Sequence, residues 1–176
     1  MPTTAPVAAP DFAIHFADVE AAALRLKGHA VMTPLLASLD LDERTGACVL
    51  VKAEPLQRTG SFKFRGAYNR LSQFSLEERK RGVVAYSSGN HAQAVALSAR
   101  SFAMASTIIM PTDTPALKVA NTRAYGATVI LYDRFGENRE EIGRRVAAET
   151  GAILVPPYDD AYVMAGQGTI GIEMVQ

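Results

Sequence analysis

Cysteine, net charge, long apolar runs and clustered glycines are what this 176-residue chain has little of. Cys48 is its one cysteine, which rules out an internal disulfide framework and any cysteine-based metal site and fits a reducing, cytoplasmic setting. Lysine plus arginine and aspartate plus glutamate each total 18, so the formal net charge is zero and nothing favours nucleic acid or an anionic membrane as a partner. No stretch reaches the roughly 20 apolar residues of a membrane span. The first ten residues are rich in Pro, Ala and Thr, without a basic start or an apolar core; they do not read as a signal peptide, and residues 1–15 are expected to be a disordered tail. No run of glycines occurs, and no Gly-x-Gly-x-x-Gly turn follows the first strand of an α/β unit, which ranks a mononucleotide-binding domain of the Rossmann kind last.

What the chain does have is alternation. Residues 83–86, 106–110, 128–132 and 152–155 are short, nearly all-apolar runs, as parallel strands covered on both faces require. Helical patterns separate them: 90–99; a segment opened by Thr114 as N-cap with Pro115 in its first turn; and one opened by Asn138 and stopped at Gly151. Upstream, Asp18 is a candidate cap for a helix with Val19, Ala22, Ala23 and Leu26 inward. Residues 39–46 read as a polar connection, 47–51 as a buried strand, and Ser75-Leu76-Glu77-Glu78 as a capping box. The reading is α/β, with parallel sheets flanked by helices.

One lysine stands in an unexpected place. Ser61 is a plausible N-cap, which puts Lys63 in the first turn of the helix that follows, where the helix dipole disfavours a positive charge. A lysine held there and partly desolvated has its neutral amine favoured, the form that makes a Schiff base with a carbonyl. The same helix start can hold an anion. A second strand-turn-helix, Ser87-Ser88-Gly89-Asn90-His91, would present hydroxyls, an amide and backbone N–H groups at the carboxyl end of a parallel strand, where a carboxylate is a natural guest. Taken singly, each segment also fits an exposed helix lysine and an ordinary capped turn.

Gly60-Ser61-Phe62-Lys63-Phe64-Arg65-Gly66-Ala67, followed by Ser87-Ser88-Gly89-Asn90-His91-Ala92-Gln93-Ala94, resembles the fold-type II (tryptophan synthase β-like) pyridoxal-phosphate enzymes of the threonine dehydratase, serine racemase and threo-3-hydroxyaspartate dehydratase family. The likeness runs from about Thr33 to the last residue. It implies a large cofactor domain from residues 16–80 and 160–176, incomplete here, with a smaller α/β domain inserted over 81–159. It implies that Lys63 holds pyridoxal phosphate and, once freed, removes the substrate's α-proton. By the same match Phe62 packs on the cofactor ring, Asn90 lies beside the ring hydroxyl, and Ser87, Ser88, Gly89, Asn90 and His91 surround the substrate carboxylate. Arg139 sits where racemase-like members carry a carboxylate-binding arginine, whereas Arg65, Lys118 and Arg123 are left to surface or structural roles.

The implied activity is an ammonia-lyase acting on serine, threonine or 3-hydroxyaspartate, giving a 2-oxo acid and ammonia. Phe-Arg-Gly-Ala after Lys63, where cysteine synthases have Asp-Arg, favours elimination over β-replacement. Ser88, alanine in many threonine dehydratases, makes a racemase the neighbouring alternative. In the family the glycine-rich phosphate loop, the partner of the pyridine nitrogen and a divalent-cation site come from a C-terminal half not found in these residues, and the complete enzyme is a homodimer. A catalytically silent binding module is therefore the competing reading.

Overall fold

The computed structural model describes residues 13–176, so the tail expected over 1–15 lies almost wholly outside the described residues. The chain opens with α1 (Phe16–Leu26). An antiparallel ribbon of β1 (Leu35–Ala37) and β2 (Leu50–Lys52) follows, joined by α2 (Leu39–Thr45). Then come α3 (Lys63–Ser72) and α4 (Leu76–Arg81). From β3 (Val83–Tyr86) the alternation runs through α5 (Asn90–Ser101), β4 (Ser106–Pro111), α6 (Ala116–Ala124), β5 (Thr128–Tyr132), α7 (Arg139–Thr150) and β6 (Ile153–Leu154), and α8 (Ala161–Met174) closes the series.

β3 to β6 form one parallel sheet in the order β5-β4-β3-β6. Because successive strand residues point to opposite faces, Val83 and Ala85 join Ile108 and Met110 in a core shared with α3 and α5. Val84 and Tyr86 turn the other way, onto Ile142 and Val146 of α7. The chain therefore winds outward from β3 to β5 with one face covered, then returns across the other face to place β6 beside β3. Ligand crevices in such sheets lie at the carboxyl ends of the strands where the winding reverses. Here those ends belong to β3 and β6, which lead into Ser87–Asn90 and Val155–Pro157.

α3 and α8 cross at backbone contact. A β-carbon at Gly66 would lie 2.7 Å from the Val163 carbonyl oxygen, and one at Gly166 would lie 2.6 Å from that of Arg65. Gly166, Gly168 and Gly171 do have Gly-x-Gly-x-x-Gly spacing, but all three lie inside α8, where the first two permit close packing and none forms a phosphate loop. The crossing is fixed by buried charge. Arg65, 1% exposed, donates to Glu54 (2.8 and 3.0 Å), to Glu173 (2.5 and 2.9 Å) and to Thr169 (3.3 Å), while Lys52 pairs with Glu173 at 2.6 Å. Burial raises the Glu173 carboxyl's pKa, but hydrogen bonds from Arg65 and Lys52 outweigh it and hold the group below its ordinary range.

Several local expectations are corrected. His15 caps α1, and Asp18 is the third helical residue, its carboxylate accepting the His15 N–H at 2.7 Å. Residues 39–46 are mostly helix, capped by Ser38 and ended by Gly46 in the left-handed region, because polar residues at i and i+4 (Asp40, Arg44) pair along an exposed turn. The 47–51 strand is shorter and not buried: Leu50 and Val51 are 49% and 44% exposed, because β2 pairs only with β1 and no helix covers it among the described residues. At α6 the cap position is Pro115 rather than Thr114, whose buried hydroxyl has no partner. The capping box at Ser75 and the Asn138 cap form as expected.

Candidate active site

Lys63 is the first residue of α3, but Ser61 does not cap that helix. Phe62 takes the cap position with no side-chain hydrogen bond, and the Ser61 hydroxyl is buried without a partner among the described residues. The chain reaches Lys63 through a tight turn in which Thr59, a β-branched residue, has φ 62°, a conformation costing about 1–3 kcal/mol. Buried Gln57 anchors that turn by exchanging two hydrogen bonds with the Val31 backbone, at 2.8 and 2.9 Å.

From this start the Lys63 Nζ reaches the loop after β6, donating to the Pro157 carbonyl at 2.7 Å. It lies 5.4 Å from the Phe62 ring centroid and has no carboxylate partner among the described residues. Burial disfavours its ammonium form, so its pKa falls below the ordinary lysine value. A neutral amine is the nucleophilic form.

His91, 2% exposed in the first turn of α5, faces the same loop, its Nε2 3.2 Å from the Val155 carbonyl. Burial lowers its pKa to about 4; the Val155 carbonyl opposes that shift, the nearby Lys63 charge adds to it and Asp160 opposes it weakly. At neutral pH Nε2–H is the donor, which leaves Nδ1 as a buried acceptor without a partner. The carboxyl end of β3 thus brings His91 into Lys63's electrostatic reach, 28 positions on in sequence.

The rest of the turn is open to a guest. Ser87 Oγ accepts the Gly89 N–H at 3.2 Å, whereas Ser88 and Asn90 are exposed with no side-chain hydrogen bond among the described residues. Gly89 caps α5 without a side chain, so the helix presents free N–H groups. Beyond Ser88 lies a cavity of about 410 Å³ lined by Ser88, Tyr132, Arg134, Glu137, Asn138 and Arg139. Arg139 stacks on the Tyr86 ring (5.4 Å) and donates to the Tyr158 hydroxyl at 3.4 Å; Arg134 pairs with Asp113 at 2.7 Å.

These residues fit an aldehyde-bearing cofactor. They combine a half-buried amine without an acidic partner among the described residues, an aromatic ring beside it, and buried polar atoms at Thr59, Ser61 and His91 that have no partner among those residues. No group of three or more His, Cys, Asp or Glu that could hold a metal ion occurs among the described residues. Two residues outside the expected set stand near the site: Lys118, left to surface or structural roles, whose Nζ would lie 2.8 Å from a β-carbon at Gly89, and Arg134, which lines the cavity with Arg139 and which no local pattern announces. Arg65 has the structural role allotted to it, as the centre of a buried network.

Comparison with known proteins identifies the family. The profile of the family described as "Pyridoxal-phosphate dependent enzyme" matches residues 26–176. Among curated relatives, an L-threo-3-hydroxyaspartate ammonia-lyase of Pseudomonas sp is 58% identical over 159 residues, 90% of this chain and 50% of the relative. Its namesake in Saccharomyces cerevisiae is 52% identical over 161 residues, 92% and 49%. The solved structure of maize serine racemase superposes with a TM-score of 0.89 at 37% identity, covering 93% of this chain and 50% of that one. The chain spans about half the length of the curated relatives it matches. On the family match and on a fold shared with those enzymes, the chain belongs to the pyridoxal-phosphate dependent enzymes.

Proposed function

We propose that this chain supplies the reactive lysine and the substrate-carboxylate turn of an ammonia-lyase that converts a hydroxy amino acid, 3-hydroxyaspartate, serine or threonine, to a 2-oxo acid and ammonia. The observation that carries the reading is the Lys63 amine, half-buried, without a carboxylate partner among the described residues, and hydrogen-bonded to the loop at the sheet's reversal point. The names of the relatives support the same reaction class. The division into an inserted part over 81–159 and a cofactor part over 16–80 and 160–176 belongs to the proposal; it is supported by the four-stranded sheet falling wholly within 83–154.

Lys63 would hold the cofactor, with Phe62 against its ring and Asn90 beside its ring hydroxyl. Bound there, pyridoxal phosphate supplies an aldehyde and an electron-withdrawing ring that delocalises charge at the substrate's α-carbon. Lys63, once free, is the base for the α-proton, its lowered pKa keeping a neutral fraction available. Ser87, Ser88, Gly89, Asn90 and His91 receive the α-carboxylate with hydroxyl, amide and helix N–H donors. Arg139, with Arg134 across the cavity, suits a second carboxylate and so favours 3-hydroxyaspartate.

Borohydride reduction of the chain mixed with pyridoxal phosphate, followed by peptide mapping, tests the assignment. Label concentrated on Lys63 is expected; label spread evenly over the lysines would remove the proposal. A racemase is the second reading, favoured by Ser88, whose hydroxyl is unbonded and lines the cavity. Ser88→Ala should then abolish inversion of serine while leaving elimination, and equal loss of both would exclude a separate proton donor at Ser88.

A further inference from the structure

Among the described residues, Lys118 is a cation beside the turn that neither the family pattern nor the lyase reading employs. It stands in the first turn of α6, where the helix dipole opposes a positive charge. Its Nζ has no hydrogen bond or ion pair among the described residues. What it does have is a fixed direction. One turn on, Asn121 donates to Gln93 of α5 at 3.3 Å, docking the two helices so that the Lys118 stem runs toward the start of α5. A β-carbon at Gly89 would lie 2.8 Å from Lys118 Nζ, so the ammonium rests against the bare backbone of the turn.

That turn offers no charged donor. Ser88 and Asn90 are uncharged, the first N–H groups of α5 carry only partial charge, and His91 is 98% buried, its Nδ1 an acceptor without a partner among the described residues. A carboxylate seated there meets no full positive charge from these groups. Arg134 and Arg139 lie in the cavity beyond Ser88, and Lys63 is committed to the Pro157 carbonyl. Among the described residues, Lys118 alone offers an ammonium at Gly89.

We propose that Lys118 is a substrate-binding residue, its ammonium holding the α-carboxylate of the amino-acid substrate against the Ser88–Asn90 turn. The proposal rests on the lyase reading, in that it takes an amino-acid carboxylate as the guest. It assigns charge neutralisation to α6, an element outside both sequence motifs.

The test needs no turnover. The isotope-labelled 176-residue chain is titrated with succinate at constant ionic strength, following the backbone amides of Gly89 to Ala92 by NMR, for the parent and for Lys118→Met and Lys118→Arg. The parent's amides should shift saturably, Lys118→Met should bind at least about tenfold more weakly, equivalent to about 1.4 kcal/mol, and Lys118→Arg should recover to within about threefold. Unchanged thermal midpoints in both variants would show that the lysine is not a packing element. Lys118→Met binding succinate as the parent does would overturn the role of Lys118 and leave the lyase reading standing. No shift in the parent would remove a carboxylate site from the turn altogether, whereas the lyase reading is judged separately by labelling at Lys63. Inorganic phosphate, titrated in parallel, should bind more weakly than succinate; tighter phosphate binding that depends on Lys118 would assign the cation to a phosphate and overturn the carboxylate.

Discussion

Replacing His91 with glutamine should flatten the acid limb of this protein's stability in a way that no other single substitution at the site can. The folded chain holds His91 neutral, with a pKa near 4, because charging it would bury an ion beside Lys63. The unfolded chain binds that proton with a pKa of about 6.5. Below pH 6.5 the unfolded state therefore takes up a proton that the folded state refuses, and stability falls with pH until about pH 4, beneath which both states are protonated. A difference of about 2.5 units at 1.36 kcal/mol each makes the loss about 3 kcal/mol. Urea unfolding from pH 7 to 4 measures it as the stability of the parent minus that of His91→Gln, which cancels carboxylates such as Glu173 that titrate in both. The difference should fall by about 3 kcal/mol across that window. A flat difference would mean that His91 takes its proton in the folded state, and the neutral acceptor assigned to the site would be wrong.

Three further outcomes follow from the same geometry. Because burial lowers its pKa, Lys63 should react with small aldehydes at a pH midpoint below the ordinary lysine value, read by mass spectrometry of trapped adducts; a midpoint at that ordinary value would contradict the desolvated amine. Glu173→Gln leaves Arg65 and Lys52 short of one buried charge and should cost about 3 kcal/mol, the low end for a broken buried pair because Glu54 remains. Denaturant midpoints check this, and a loss under 1 kcal/mol would mean that water reaches the network. Gly66→Ala, with its β-carbon 2.7 Å from the Val163 carbonyl oxygen, should destabilise the α3–α8 crossing by about 1–3 kcal/mol; an unchanged melting temperature would show that the crossing can open without cost.

Local chemistry made much of this architecture legible before folding. The strands at 83–86, 106–110 and 128–132 lie where short apolar runs place them, since a run of β-branched and aliphatic residues between turn signals has few other ways to bury itself. Caps at Ser75 and Asn138 formed for the same local reason. Errors fell where a neighbour distant in sequence decides. Residues 47–51 look buried by composition, yet the strand is exposed because burial depends on what covers it. Ser61 is of a capping residue type, but α3 begins past it with Phe62 at the cap position, and the Ser61 hydroxyl has no partner among the described residues.

Sequence by itself determined the α/β class and the presence of a lysine at a helix start followed by a serine-rich turn, because those features are written in adjacent residues. Tertiary structure alone decided that Lys63 meets Pro157 across 94 positions, that His91 is neutral, that Arg65 is a buried clasp and that Lys118 reaches Gly89. Each of these depends on desolvation or on reach through space, which sheet order and helix crossing set and which no run of adjacent residues encodes.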